Sequence, residues 1–198
     1  MELERFCLKF LARPETQIDP QESIFINIFQ EWIRLQSLPG VLLDVADYRH
    51  VPEGPGIMLI THEINYALDR AEGELGLYAQ RKRGQGNSLK ERIVDVARAT
   101  ATFGKLLEAD QRLEGSVKLN GGKFYWMSND RLLAPNTDEA FAAVKPELEA
   151  ALQELYPDQN VNLSRVENDE RDRLCILVET EKPVEIGTLA QPATAAVG

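Results

Sequence analysis

The sequence predicts an α+β fold in which three helices pack over a mostly antiparallel sheet. Segments with alternating apolar residues outnumber those with helical spacing, and most of their connections are too short for parallel crossovers. The predicted order is strand, helix, three strands, helix, two strands, helix, two strands. We expect one domain over residues 1–182 and a flexible C-terminal tail over residues 183–198, because the tail is rich in small uncharged residues.

The first half of the chain opens with a strand over residues 5–12, whose apolar residues alternate. A helix then runs from the N-cap candidate Asp19 to the helix-ending pair Pro39-Gly40, and its apolar residues repeat with helical spacing. Three antiparallel strands occupy residues 41–82, where the segments alternate and are joined by short turns. This half therefore supplies four strands and one helix.

The second half begins with a helix at Ser88, which is an N-cap candidate. The next segment, SVKLNGGKFYWMS, predicts a tight hairpin, because Asn120-Gly121 between alternating apolar residues is a strong turn signal. A third helix has Asn136 or Thr137 as its N-cap, and two last strands flank the polar turn ENDERD. Hairpins thus outnumber crossovers, as an antiparallel sheet requires.

The charge of the chain limits the partners that it can bind. Its formal net charge of −10 repels nucleic-acid phosphates and anionic lipid headgroups, so we expect no nucleic-acid partner. No stretch reaches the ~18 consecutive apolar residues of a membrane span, and we expect no membrane insertion. The first residues are acidic and their apolar stretch is interrupted by Lys9, unlike a signal peptide, so we expect a cytoplasmic protein.

The cysteines and histidines are too few and too scattered for a typical metal site. Cys7 and Cys175 lie in apolar segments, where a reducing compartment would leave them as small buried side chains. His50 and His62 match neither an HExxH nor an HxH spacing. The segment RGQGN resembles part of a phosphate loop but lacks its later glycine and its Lys-Ser/Thr pair. The sequence therefore predicts no metal and no cofactor.

Polar residues interrupt the apolar run of residues 57–68. If this run is one strand, alternation places His62 on its apolar face and Glu63 on the opposite face, so the two cannot act as a catalytic pair. His62 is then predicted to be a core residue. Glu63 is a ligand-binding candidate in a cross-strand polar ladder, whose simpler interpretation is a structural ion pair. The other members of the ladder are Asp47, Thr61 and Arg81.

A candidate acid/base lies where the predicted strand before the turn PEGPG ends. His50 follows Asp47 and Arg49 closely in the sequence. An imidazole beside a carboxylate is suited to acid/base catalysis. These three residues are the catalytic candidates of the chain.

A second polar cluster, SNDRLLAPNT, precedes the third helix. Asn129, Asp130 and Arg131 are ligand-binding candidates, because such side chains and the free N–H groups at a helix start recognise small anions. The alternative is that Asn136 and Thr137 cap the helix while Asp130 and Arg131 pair with each other or with solvent. The sequence leaves both interpretations open.

The segments LLDVADYRHV, GPGIMLITHE and SNDRLLAPNT resemble an uncharacterised family of bacterial proteins that includes cyanobacterial members. The resemblance extends to about Glu179 and leaves out the tail. It implies a bacterial, cytoplasmic protein. It brings no catalytic residue, activity or cofactor with it.

Three functions remain open at this point. The leading one is an accessory or regulatory protein that binds a protein partner or a small ligand, since the sequence assembles no nucleophile, metal site or cofactor loop. The second is a hydrolase or lyase that uses His50 as acid/base, assisted by Asp47 and Arg49, with Arg131 holding an anionic substrate. The third is a structural homo-oligomer whose interface is a sheet face or edge.

Overall fold

The computed structural model describes residues 2–52, 54–84 and 86–190, and these form eight strands and three α-helices. The strands are β1 (Phe6–Ala12), β2 (Leu42–Asp47), β3 (Ile57–Thr61), β4 (Ile64–Asp69), β5 (Gly76–Arg81), β6 (Leu119–Ser128), β7 (Val161–Arg165) and β8 (Cys175–Thr180). The helices are α1 (Ile24–Leu35), α2 (Leu89–Ala109) and α3 (Asp138–Leu155). Short 3-10 turns lie at Ala71–Gly73, Gln111–Leu113 and Ile186–Thr188.

The strands form one antiparallel sheet in the order β2-β3-β4-β5-β1-β6-β8-β7. The α+β class and the antiparallel sheet that the sequence predicts are confirmed. The first strand, β1, lies between β5 and β6, in keeping with its almost continuous burial. The eight strands are distributed differently from the prediction: four strands lie between α1 and α2 where three were expected, and one strand replaces the hairpin after α2.

One face of the sheet carries the main apolar core. The alternating apolar residues of β1 belong to this core together with the buried residues of all three helices. Phe103 of α2 lies in an aromatic cluster, with its ring centroid 4.6 Å from that of Tyr66 and 5.1 Å from that of Trp32. Because side chains alternate along a strand, Cys7 and Lys9 of β1 point to the second face. Among the described residues, the buried apolar cluster on that face contains no helical residue.

The run of residues 57–68 is not one strand, so the prediction that His62 is a core residue is wrong. The chain bends at His62 and Glu63, which are both exposed, and returns as β4. Hydrogen bonds of the Thr61 side chain stabilise this bend. Its Oγ1 accepts a hydrogen bond from Ile64 N at 3.1 Å and donates one to Ile64 O at 2.6 Å. A threonine thus replaces the glycine or asparagine that usually marks such a turn.

The predicted polar ladder is wrong in its register. Asp47 pairs with Ile57 rather than with Thr61, because the connection between β2 and β3 is centred on Pro52 and not on Gly54. Arg81 pairs with Ile64 across β4 and β5 and is buried. Asp47 of β2 therefore lies beside the first residue of β3, whereas Thr61 is the last residue of β3.

The segment SVKLNGGKFYWMS does not form the predicted hairpin, although Asn120-Gly121 is a strong turn signal. It contains the single strand β6 of ten residues. A Cβ on Gly121 would lie 2.8 Å from the Cα of Ile186, so glycine lets a second backbone segment approach the strand closely. Asn120 pairs with Glu185 in an isolated β-bridge. Gly121 therefore serves packing rather than a turn.

This second segment belongs to the predicted tail. Ile186 is fully buried, and Val184 and Leu189 beside it are 9% and 8% exposed. Gly121 N donates a hydrogen bond to Val184 O at 2.9 Å. The packed part of the chain thus extends past residue 182, and residues 191–198 of the predicted tail lie outside the described residues.

We expect Gly121→Ala to lower the free energy of unfolding by about 1–3 kcal/mol, because its Cβ would overlap the backbone of Ile186. Gly187→Ala is the matched control, since the nearest atoms to a Cβ there belong to the Lys105 side chain at 3.6 Å. Urea denaturation followed by tryptophan fluorescence measures both variants. Equally small losses would contradict the packing role of Gly121.

Candidate functional site

A lysine is buried on the second face of the sheet, beneath the β4–β5 turn (residues 70–75). Lys9 is 0% exposed, and its stem crosses Gly76, where a Cβ would lie 2.8 Å from Cγ of Lys9. Its Nζ lies 2.6 Å from Asp69 Oδ1 and 3.3 Å from Glu72 Oε2, and it donates to the backbone of the turn. Burial raises the pKa of Asp69, against the opposing effect of the ammonium. Lys9 therefore holds this turn over the sheet.

Arg173 connects a second segment, the β7–β8 loop (residues 166–174), to the β4–β5 turn. Its Nη2 donates to Glu72 Oε1 at 2.9 Å. The β4–β5 turn is also held by the Tyr125 hydroxyl, which donates to Glu74 Oε2 at 2.6 Å. The two segments thus meet over the second face through one carboxylate.

The two cysteines lie on this same face. The Sγ of Cys7 is 2.9 Å from the Tyr78 hydroxyl and 3.7 Å from Nη1 of Arg173. Cys7 and Cys175 both pair with Met127 from opposite sides, which separates them by two strand spacings, about 10 Å, too far for a disulfide. Burial raises the pKa of Cys7 to about 11 and that of Cys175 to about 12. Both thiols are therefore neutral near pH 7.

A cleft of about 600 Å³, which we call the arginine cleft, opens beside the β7–β8 loop. Met127 and Cys175, 1% and 3% exposed, give it an apolar floor. Three guanidinium groups and three carboxylates surround this floor. The lining residues are Glu72, Met127, Arg131, Val166, Glu167, Asn168, Arg171, Asp172, Arg173 and Cys175.

The loop after β6 brings Arg131 to this cleft. Asp130 stabilises the loop, because its Oδ1 accepts hydrogen bonds from the backbone N–H groups of Leu132 and Leu133 at 3.1 and 3.2 Å. Its backbone oxygen accepts a further one from Ser128 Oγ at 3.1 Å. Arg131 is exposed, and within the described residues no group forms an ion pair or hydrogen bond with its guanidinium. Asp130 thus fixes a loop whose arginine keeps its donors available.

The other ligand-binding candidates lie outside the arginine cleft. Asn129 donates its backbone N–H to Arg5 O at 3.0 Å, at the base of the same loop. Glu63 is exposed at the β3–β4 turn and borders a separate depression of about 150 Å³. The structure therefore brings Arg131 and its supporting residue Asp130 to one site and leaves Glu63 elsewhere.

The catalytic candidates lie near another cleft of about 580 Å³, which we call the Arg49 cleft. It lies between residues 19–21, the chain after β2 and the β4–β5 turn. Arg49 donates to both carboxylate oxygens of Asp47, at 2.8 and 2.5 Å, and to Ser23 Oγ at 3.0 Å. These bonds from Arg49 lower the pKa of Asp47 to about 2. His50 is exposed and does not line the cleft.

His50 and Arg131 do not meet in one cleft, as the predicted hydrolase or lyase requires. The strands that precede them, β2 and β6, are five positions apart in the sheet, a separation on the order of 20 Å. The arginine cleft, which Arg131 lines, does not include His50. One small substrate therefore cannot contact both side chains.

The central residues of the second face were not identified from the sequence. Lys9 interrupts an apolar strand, and a charged residue there is a usable signal, because a buried ammonium needs partners. Glu72 and Arg173 lie in polar segments that are typical of exposed turns, so no local pattern marks them. Within residues 2–52, 54–84 and 86–190, no three histidine, cysteine or carboxylate side chains are grouped as metal ligands would be.

We expect Asp69→Asn to lower the free energy of unfolding by about 3 kcal/mol, because it removes the closest anion from a fully buried ammonium. Asp169→Asn is the control, since it neutralises a carboxylate in the exposed pair with Arg171. Urea denaturation followed by circular dichroism measures both. The same midpoint for the two variants would contradict a central role of the Lys9 pair.

We expect Cys7 and Cys175 to react slowly with a thiol reagent such as DTNB at pH 8 in the native protein, because burial keeps both thiols protonated. In 8 M urea both should react at once. The absorbance at 412 nm, followed over time, counts the thiols that react in each condition. Rapid reaction of either thiol in the native state would contradict its burial.

Among the described residues, none of the helices has the length and hydrophobicity that crossing a lipid bilayer requires. Comparison of the chain with models of protein families, with curated proteins and with solved structures finds no match. The resemblance to an uncharacterised bacterial family therefore stays a prediction, and the function is argued from the geometry of the clefts.

Proposed function

We propose that the protein binds a small ligand in the arginine cleft, as an accessory or regulatory factor rather than a catalyst. The ligand has an anionic head, a carboxylate or a phosphate, and a short apolar body. The single observation that carries this proposal is that Arg131 lines an apolar-floored cleft without an ion-pair partner among the described residues. The cytoplasmic location expected from the sequence is part of the same proposal.

The anionic head is favoured by the state of the three arginines. Arg173 is paired with Glu72 and Arg171 with Asp169. Arg131 keeps its planar set of donors for a ligand, and this fork matches the two oxygens of a carboxylate or phosphate. In a chain of net charge −10, the three guanidinium groups of this lining balance its three carboxylates, so the cleft repels an anion less than the rest of the surface does.

The apolar body is favoured by the floor and the size of the cleft. Met127 and Cys175 are neutral, and Val166 adds a third apolar side chain to the lining. A volume of about 600 Å³ lies within the range of small-molecule sites. A chain of a few carbon atoms would cover this floor while its head reaches the arginine.

We expect the protein to bind hexanoate and hexyl phosphate more tightly than the neutral hexanamide, as measured by isothermal titration calorimetry at low salt. Arg131→Ala should weaken binding of both anions about tenfold, because it removes charge-assisted hydrogen bonds to the head. Arg34→Ala should leave binding unchanged, because Arg34 is an exposed arginine of α1 paired with Glu31.

Leu132→Ser is a second control for the same experiment. Leu132 is 95% exposed beside Arg131 but does not line the cleft. Replacing it should therefore leave the affinity for a ligand in the cleft unchanged. Equal binding of hexanoate and hexanamide would contradict the proposal. So would a loss of affinity in Arg34→Ala or Leu132→Ser as large as that in Arg131→Ala.

A further inference from the structure

We infer that an anion bound in the arginine cleft displaces Glu72 from Arg173, which releases the β4–β5 turn and thereby changes the Arg49 cleft. This inference rests on the proposed function, since it needs an anionic ligand in the arginine cleft. It adds a coupling between the two clefts, for which Glu72 is the connecting residue. Glu72 lines both of them.

The carboxylate of Glu72 is shared between two cations, one at each of its oxygens. Its Oε1 accepts from Arg173 at 2.9 Å, and its Oε2 lies 3.3 Å from Nζ of Lys9. The Glu72 and Arg173 side chains are 25% and 32% exposed, so a ligand can reach this pair. Arg131 and Arg173 line the same cleft, so an anionic head that binds Arg131 would also compete with Glu72 for the donors of Arg173.

The backbone of Glu72 makes its position dependent on these contacts. Glu72 has φ of 57° and Gly73 has φ of 80°, both in the left-handed region. An L residue with a Cβ is disfavoured there, so the side-chain contacts of Glu72 must hold it. When the bond to Arg173 is lost, one of these contacts is removed and a more extended backbone becomes accessible.

The base of the turn stays in place when its tip moves. Lys9 remains paired with Asp69 at 2.6 Å, and both of these side chains are buried. Lys9 also donates to Ala71 O, and Tyr125 donates to Glu74. The movement is therefore limited to Glu72 and Gly73, which belong to one wall of the Arg49 cleft. Because coupling between two sites is reciprocal, a ligand in the Arg49 cleft that fixes Glu72 would oppose anion binding in the arginine cleft.

The first test compares two neutralising variants of the arginine cleft. Glu72→Gln should raise the affinity for hexyl phosphate about fivefold or more, because it removes the competitor of the anion. Glu167→Gln removes the same charge from the same lining without touching the Arg173 pair, and should raise the affinity about twofold at most. Unfolding midpoints in urea verify that both variants fold.

The second test follows amide hydrogen exchange by mass spectrometry in peptides that cover residues 70–75. Saturating hexyl phosphate should speed exchange there in the wild type. Glu72→Gln should exchange quickly even without the ligand, whereas Glu167→Gln should behave like the wild type. Unchanged exchange in the ligand-saturated wild type, or equal gains in affinity for the two variants, would overturn the coupling. If the wild type binds neither hexanoate nor hexyl phosphate, the proposed function is overturned and the coupling with it.

Discussion

The arrangement of the second face depends on the burial of one ammonium group. Lys9 comes from the central strand β1 and is fully enclosed, so its charge has to be balanced locally. Asp69 at the end of β4 supplies part of that balance, and Glu72 adds to it only when the β4–β5 turn folds over the sheet. Gly76 leaves the space through which the lysine stem passes. A single buried charge thus determines the path of a surface turn.

Different interactions stabilise the two faces of the sheet. The helical face is a continuous apolar core with a cluster of aromatic rings, and its stabilisation grows with the area removed from water. The second face combines a small apolar cluster with a chain of ion pairs that runs from Lys9 through Glu72 to Arg173. Ion pairs depend on geometry and can be exchanged for a ligand, whereas an apolar core cannot. This difference is why the arginine cleft, which we propose as functional, lies on the second face.

Sequence patterns predicted well where the local chemistry and the packing agree. Ser88 and Thr137 cap α2 and α3 through their side chains, as their sequence positions suggest. The predictions were wrong where one residue type can serve two different structural roles. Gly121 carries a hairpin signal, but its lack of a side chain serves the approach of Ile186. Thr61 carries a strand signal, but its hydroxyl closes the bend that exposes His62 and Glu63.

The sequence by itself determined the α+β class, the starts of two helices and the presence of Arg131 in a polar loop. These follow from periodicity, capping and composition, which act between residues close in the chain. The tertiary structure alone decided the strand order, the separation of His50 from Arg131 and the meeting of Lys9, Glu72 and Arg173. The contacts among Lys9, Glu72 and Arg173 join residues up to 101 positions apart. They are favourable because they balance the charge of a buried side chain. No local pattern contains that information, because burial exists only after the sheet has formed.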